Sequence, residues 1–453
     1  MRLEPATGSV SAGSLFPGLS RWAAWALLVL SSLFLGGCEA TDDPESSPPQ
    51  VAIIGWDGAT WAVMEPLLRA GQLPNVQALL DRGGRGVLLA EPPLRSPALW
   101  TTLATGFPPA DHGIHDFQLP DPQTGLPILA ATIHRQRAPL WTIASRHERE
   151  VGMVGWWTTW PAEPVHGWLV SDHLADNRWD HWAKRPDRES YQLTFPPELA
   201  ESLRPQAVTA QDVTPETLAH LAAFDQRERT EMMLATRPVI FHGPSVLRHG
   251  YATDASNARF AVELLDRNGQ PDLFATVFIL SDVVGHVFWH HLEPEQLRGP
   301  NPAGDRLAET IPNIYRQLDT WTGELLSRLS PETLVLLISD HGMRGTGFLP
   351  RPGQNPSGDH QPEGILIAAG PGVPAGADLG EIRQLDFAPT VLAALDLPVA
   401  EDMPGRVVRG LLGDRTIRSV ETHGDGRAHF DVLETSPAEE RYEDRLRSLG
   451  YIQ

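Results

Sequence analysis

The amino-acid sequence predicts an α/β fold, with a mostly parallel central sheet and helices on both of its faces. Two observations carry that expectation. Near-continuous apolar runs recur at VAIIGWD (Val51 to Asp57), VGMVGWW (Val151 to Trp157), LFATVFILSD (Leu273 to Asp282), TLVLLISDHG (Thr333 to Gly342) and GILIAAGPG (Gly364 to Gly372). Such runs suit strands buried on both faces. Segments of helical period lie between them, and strands alternating with helices imply a sheet covered on both sides.

Taken in order, the chain opens on a targeting pattern. Arg2 and Arg21 precede the apolar run WAAWALLVLSSLFL, which closes in Leu35-Gly36-Gly37-Cys38. A basic end, a short apolar core and small residues before a cut define a signal peptide. The core is short for a membrane span. The closing four residues resemble a bacterial lipobox, which implies that residues 1–37 are removed and that Cys38 carries a lipid. Cys38 is the only cysteine, which excludes an intramolecular disulfide and a multi-cysteine zinc site. Residues 38–50, polar and proline-rich, read as a flexible tether. The expected location is a bacterial cell envelope, lipid-anchored and facing the periplasm or exterior.

The folded body is expected over 51–415, ample for a sizeable core in a chain of 453 residues. LPNVQALLDRGG reads as a helix stopped by glycines. IPNIYRQLDTWTGELLSRL sets Ile311, Ile314, Tyr315, Leu318, Trp321, Leu325 and Leu329 on one helical stripe. The stretch of about 175–270 has weaker strand signals and is expected to form an inserted cap over the sheet edge. Residues 416–453 read as a polar tail. The formal net charge of -21 argues against nucleic-acid binding. A phosphate substrate stays open, because a bound cation reverses the local field.

Three of the apolar runs end in an aspartate: Asp57, Asp282 and Asp340. Ligands of open α/β sheets bind beyond the carboxyl ends of strands. Three buried anions there would be costly without cations. Asp282 and His286 are four apart, one face of a helical turn. Asp340 and His341 are neighbours whose side chains can converge where a strand turns. His360 sits in a loop entering the next strand. Carboxylate with imidazole suits zinc or a similar divalent ion. Each piece has an ordinary structural reading, since a strand-end Asp often caps a helix. Ser96, in SPALWTTLATG, reads on its own stretch first as a helix cap, with a nucleophile at a helix N-terminus as the less common alternative.

The motifs GWDG, SPALWTTLATGFPPADHGI, DVVGH, SDHG and GDHQPEG, in that order, resemble the alkaline phosphatase superfamily, most closely its type I phosphodiesterase/nucleotide pyrophosphatase branch. The resemblance spans about Val51 to Leu412 and is vague in the cap. It implies an alkaline-phosphatase-like three-layer sandwich and two divalent metal ions, usually zinc. One ion would be held by Asp282, His286 and His360, the other by Asp57, Asp340 and His341 with Ser96. Ser96 would be the nucleophile, passing through a covalent phospho-serine. Thr105, Gly106, His112 and Gly113 match the family as structural positions. The branch usually carries Thr as nucleophile and an Asn further along; here Ser96 stands, with no Asn before Thr105, which puts a nucleotide substrate in doubt.

The expected partner is therefore a phosphate ester or phosphodiester small molecule. A phosphomonoesterase or phosphotransferase of the same superfamily is an alternative, for which Arg95 is a candidate basic contact. A non-catalytic metal- or ligand-binding lipoprotein is another. Backbone N–H groups near Pro97 to Leu99 are expected to aid charge stabilisation. Trp56, Trp100, Trp156, Trp157 and Trp160 are candidates for pocket mouth or core, and His290, His291 and Glu293 for supporting or surface positions.

Overall fold

The computed structural model describes residues 48–121, 125–175, 192–235, 242–296, 304–351, 356–413 and 415–426. Cys38, the signal pattern and the end of the tail lie outside these residues.

Nine strands form the central sheet. In chain order they are β1 (Val51–Trp56), β2 (Gly83–Leu89), β3 (Val151–Val154), β4 (Gly167–Val170), β5 (Thr194–Phe195), β6 (Leu273–Phe278), β7 (Leu334–Ile338), β8 (Glu363–Ala369) and β9 (Ala377–Arg383). Across the sheet they run β9-β2-β8-β7-β1-β6-β3-β4-β5. The centre is parallel: β1 pairs with β6 and β7, and β3 with β4 and β6. β8 runs antiparallel between β2 and β7, and β5 runs antiparallel at the edge.

Strand periodicity divides the core in two. Ala52, Ile54 and Trp56 join one hydrophobic cluster, while Val51 and Ile53 join the other. Successive side chains leave a strand on opposite faces, so both faces of β1 are buried. The first cluster holds residues of the helices Trp61–Arg69, Pro74–Asp81, α2 (Gly243–Asn268), α3 (Leu280–Leu292) and α4 (Thr310–Leu326). The second holds residues of α1 (Ser96–Thr105) and of the helices Leu140–Arg146 and Phe387–Ala394. This is the three-layer α/β arrangement the sequence predicts. In α4 the expected stripe is buried from Ile311 to Leu325.

Three differences are instructive. The apolar run LFATVFILSD outlasts its strand: β6 ends at Phe278, and Asp282 lies in the first turn of α3. β2 hides in GGRGVLL, where glycines carry no strand propensity and its neighbours β8 and β9 supply the order. The end of the stretch expected as a cap is instead a covering layer of the main body. α2 runs for 26 residues and buries Leu247, Phe260, Ala261 and Leu264 in the first cluster. Its mixture of buried polar and apolar residues masked the helical stripe.

Candidate active site

β7, β1 and β6 lie side by side with their carboxyl ends level, Gly55 standing opposite both Val277 and Ile338. The chain leaves all three at the same rim. Asp57 follows β1 directly. Asp340 and His341 follow β7 within a bend, so both side chains reach one point. Asp282 arrives on the first turn of α3, and His286 one turn later. Buried Asp254 on α2 caps that turn, accepting from Ile279 N at 3.0 Å and Leu280 N at 2.8 Å. Ser281 Oγ donates to Asp57 O at 2.7 Å and ties α3 to β1. His360 comes from a hairpin, Gly342–Gly345 paired with Gly358–Gln361, which carries the chain from β7 towards β8. Gly58, at φ 68, turns the chain where a Cβ would lie 3.2 Å from Asp282 Oδ1.

Two triads result. The ligand-capable atoms of Asp282, His286 and His360 lie within 4.8 Å of one another, as do those of Asp57, Asp340 and His341. In the first, Asp282 Oδ1 is 3.3 Å from His286 Nε2 and 3.2 Å from His360 Nε2, and the two Nε2 atoms are 2.9 Å apart. In the second, His341 Nε2 is 3.5 Å from Asp57 Oδ1 and 3.7 Å from Asp340 Oδ2. His341 Nε2 is also 3.8 Å from Asp282 Oδ1, so the triads adjoin.

The imidazole tautomers follow from their outer contacts. His286 Nδ1 donates to Gly358 O at 2.9 Å, His341 Nδ1 to Gly342 O at 2.9 Å and His360 Nδ1 to Leu94 O at 3.0 Å. A carbonyl only accepts, so each Nδ1 bears hydrogen and each Nε2 lone pair is left facing inward. Asp282 Oδ1, Asp340 Oδ2 and His341 Nε2 are buried without a hydrogen-bond partner among the described residues. Buried polar atoms are rarely left so. Nitrogen and carboxylate donors about 3 Å apart match the ligand spacing around a small tetrahedral ion. The residues present therefore fit a divalent cation.

The electrostatics agree. Burial, with the Asp57 and Asp282 carboxylates close by, pushes Asp340 well above the usual carboxylate range. Burial pushes Asp282 the same way, but His286 and His360 overcome it and hold that carboxyl well below its usual range. Burial opposes charge on His286, yet Asp282 raises it to about 9. Burial and the neighbouring His360 lower His341 to about 3. Adjacent groups are thus driven in opposite directions, a conflict that a cation in place of the proton removes.

Ser96 is the first residue of α1 and is buried. Its hydroxyl does not cap the helix: Arg95 holds the cap position, with no side-chain bond, and Ser96 Oγ donates to Asp57 Oδ1 at 3.3 Å. The other carboxylate oxygen, Asp57 Oδ2, accepts from Trp100 Nε1 at 3.0 Å and Trp157 Nε1 at 2.9 Å. Trp100 lies on α1 one turn after Ser96, whereas Trp157 comes from a loop that folds back onto α1, where Trp156 Nε1 donates to Trp100 O. Trp56, Trp100 and Trp156 are core; Trp157 and Trp160 are half-buried.

One expectation is corrected here. Ala98 N and Leu99 N both donate to Arg95 O at 2.9 Å, and Pro97 has no N–H, so that stretch offers no free donors for charge stabilisation. His290 and His291 are not surface groups: both are buried, their rings 3.9 Å apart. Glu293 accepts from Trp289 Nε1. Arg95 Nε sits 3.7 Å from Asp116 Oδ1, both largely exposed. His112 accepts from Ile114 N at 3.2 Å through Nδ1 and meets Thr102 Oγ1 at 3.1 Å through Nε2, fixing its loop.

Asp and His ligand-capable atoms thus line one rim of the α/β sheet beside a buried serine. Residues 51–348 match the family model of type I phosphodiesterase / nucleotide pyrophosphatase, and the chain belongs to that family. No curated protein matches the sequence. Among solved structures, human ectonucleotide pyrophosphatase / phosphodiesterase 5 is similar at 12% identity, covering 80% of this chain and 99% of that one, with a TM-score of 0.45. The murine protein of the same name gives 13%, 80%, 99% and 0.46. Ps i-CgsB in complex with k-i-k-neocarrahexaose gives 15%, 80%, 75% and 0.43.

Proposed function

We propose that this hydrolase cleaves a phosphodiester or pyrophosphate bond with Ser96 as nucleophile. The observation that carries the reading is the placement of Ser96 Oγ, buried at a helix N-terminus and 3.3 Å from Asp57 Oδ1, beside two triads of inward-facing donors. Asp282, His286 and His360 would hold one divalent ion. Asp57, Asp340 and His341, with Ser96, would hold a second, zinc being favoured by the mixed imidazole and carboxylate donors. Bound there, the ions would supply Lewis acidity, easing loss of the Ser96 proton and offsetting charge on phosphoryl oxygens.

The chain's own residues do the rest. Asp57 orients Oγ through Oδ1, while Trp100 and Trp157 fix the carboxylate through Oδ2. The positive end of α1 favours an anionic group at Ser96. Oγ then bonds to phosphorus as the leaving oxygen departs and takes up a proton. Water next displaces Oγ, and Ser96 recovers its hydrogen.

The test is hydrolysis of bis-p-nitrophenyl phosphate beside p-nitrophenyl phosphate. Diester turnover should exceed monoester turnover and fall by roughly a thousandfold or more in Ser96→Ala, as loss of a nucleophile does. Undiminished turnover in Ser96→Ala would remove the assignment. The N-terminal pattern adds a place: lipid on Cys38 would hold the enzyme at a bacterial envelope. Cys38→Ser should then move the protein out of the membrane fraction.

A further inference from the structure

Thr158 holds a backbone conformation that its residue type resists. It is buried, and its φ of 60 lies in the left-handed region. A β-branched side chain crowds the backbone there, so the conformation persists only where the surroundings impose it. Here they hold every polar group of the residue. Thr158 N donates to Asp172 Oδ2 at 2.9 Å. Thr158 O accepts from Thr132 Oγ1 at 3.2 Å and from Arg135 Nη1 at 3.5 Å. Thr158 Oγ1 shares a hydrogen bond with Thr101 Oγ1 at 3.0 Å.

The partners are themselves anchored. Arg135 is buried and paired with Glu163, which also accepts from Trp141 Nε1 at 2.6 Å and Thr142 Oγ1 at 3.2 Å. Asp172 follows β4 in the triplet Ser171-Asp172-His173, which repeats the Ser339-Asp340-His341 that follows β7. Asp340 belongs to a triad of ligand-capable atoms, whereas Asp172 joins neither triad. Its carboxylate is directed at the loop instead, accepting from Thr158 N through one oxygen and from Thr159 Oγ1 at 3.3 Å through the other.

The loop so fixed bridges the nucleophile's helix and the ligand triad. Trp156 Nε1 donates to Trp100 O at 3.2 Å, and Thr158 meets Thr101; both partners lie on α1, which begins with Ser96. Between these two anchors stands Trp157, whose Nε1 donates to Asp57 Oδ2 at 2.9 Å. Relaxing residue 158 out of the left-handed region would turn the chain directly beside that indole. We infer that Thr158 is a positioning residue of the site. Its enforced backbone, tied to α1 through Thr101, aims Trp157 at Asp57 and so sets Asp57 against Ser96. This inference rests on the reading of Asp57 as a metal ligand.

Zinc affinity of the full chain, read by chelator competition beside the melting temperature, tests it. Thr158→Val keeps shape and branching and deletes the hydroxyl. It should weaken zinc binding about fivefold, the worth of one neutral hydrogen bond. Thr158→Ser, which keeps the hydroxyl, should stay within about twofold of the natural protein. Thr101→Val breaks the same contact from α1 and should show a similar loss, so one folded valine variant suffices. The decisive readout is the Trp157→Phe background. A residue acting through the indole adds no loss once the indole N–H is gone, because members of one network are not additive. The same loss added in that background overturns the inference. So does a lowered melting temperature with unchanged zinc affinity. Either result leaves the phosphodiesterase reading standing. A natural protein that binds no zinc removes the ligand reading of Asp57 and this inference with it.

Discussion

Asp57 divides its two carboxylate oxygens between different tasks. Oδ1 faces Ser96 and His341, while Oδ2 is held by two indole N–H groups at 3.0 and 2.9 Å. That division fixes which oxygen is offered to an ion. Trp157→Phe keeps the ring and deletes one donor, so metal affinity should weaken by roughly 10- to 100-fold, the usual cost of losing an outer partner of a ligand. Chelator competition reads this directly, and unchanged affinity would count against the orienting role. Asp57, Asp282, Asp340, His286 and His341 were legible because strand ends and helical spacing announce them; His360, in a loop, was grouped with them by the family resemblance. The hydrogen bonds of Trp100 and Trp157 to Asp57 were not legible, since each joins distant segments. Thr158, at φ 60, shows how far the Trp157 loop departs from regular backbone, and no local pattern foretells it.

At the scale of elements, the site depends on how α3 begins. Asp254 caps its N-terminus from α2, so the helix that carries Asp282 and His286 is seated by a residue 28 positions before the first of them. Asp254→Ala should cost about 2 kcal/mol or more, the range of a lost cap with charge-assisted bonds. Denaturant unfolding measures that cost, and a change under half a kcal/mol would contradict it. A second element, the loop after α1, rests on His112. Burial lowers its pKa from 6.5 to about 3. The folded protein refuses a proton that the unfolded chain accepts below 6.5. The stability associated with neutral His112 is therefore complete above that pH and is lost as pH falls towards about 3. His112→Gln should flatten the acid limb of the stability profile; an identical slope in the variant would refute this. The end of the expected cap was misjudged for a related reason. α2 mixes buried Asp, Asn and Ser with apolar residues, because it serves the site and the core at once.

For the whole molecule, an α/β sandwich was readable from the apolar runs and the helical segments between them, since buried parallel strands write themselves as continuous hydrophobic stretches. The glycine-rich β2 and the short edge strands were not, because pairing partners define them more than their own residues do. The fold sets three carboxylates at one rim of a body whose formal charge is already -21. Like charges so placed oppose folding unless a cation offsets them. Exhaustive chelation should lower the melting temperature by roughly 10 °C, as release of tightly bound ions does. Restoration by zinc should follow, and a chelation-insensitive transition would argue that the triads stand without ions. The central claim is that Ser96 is the nucleophile. Its most direct measurement is mass spectrometry of the protein quenched in acid during turnover of a phosphodiester. A phosphoryl or phosphodiester adduct on the peptide containing Ser96 is the predicted result. Turnover with that peptide unmodified, and retained in Ser96→Ala, would contradict it.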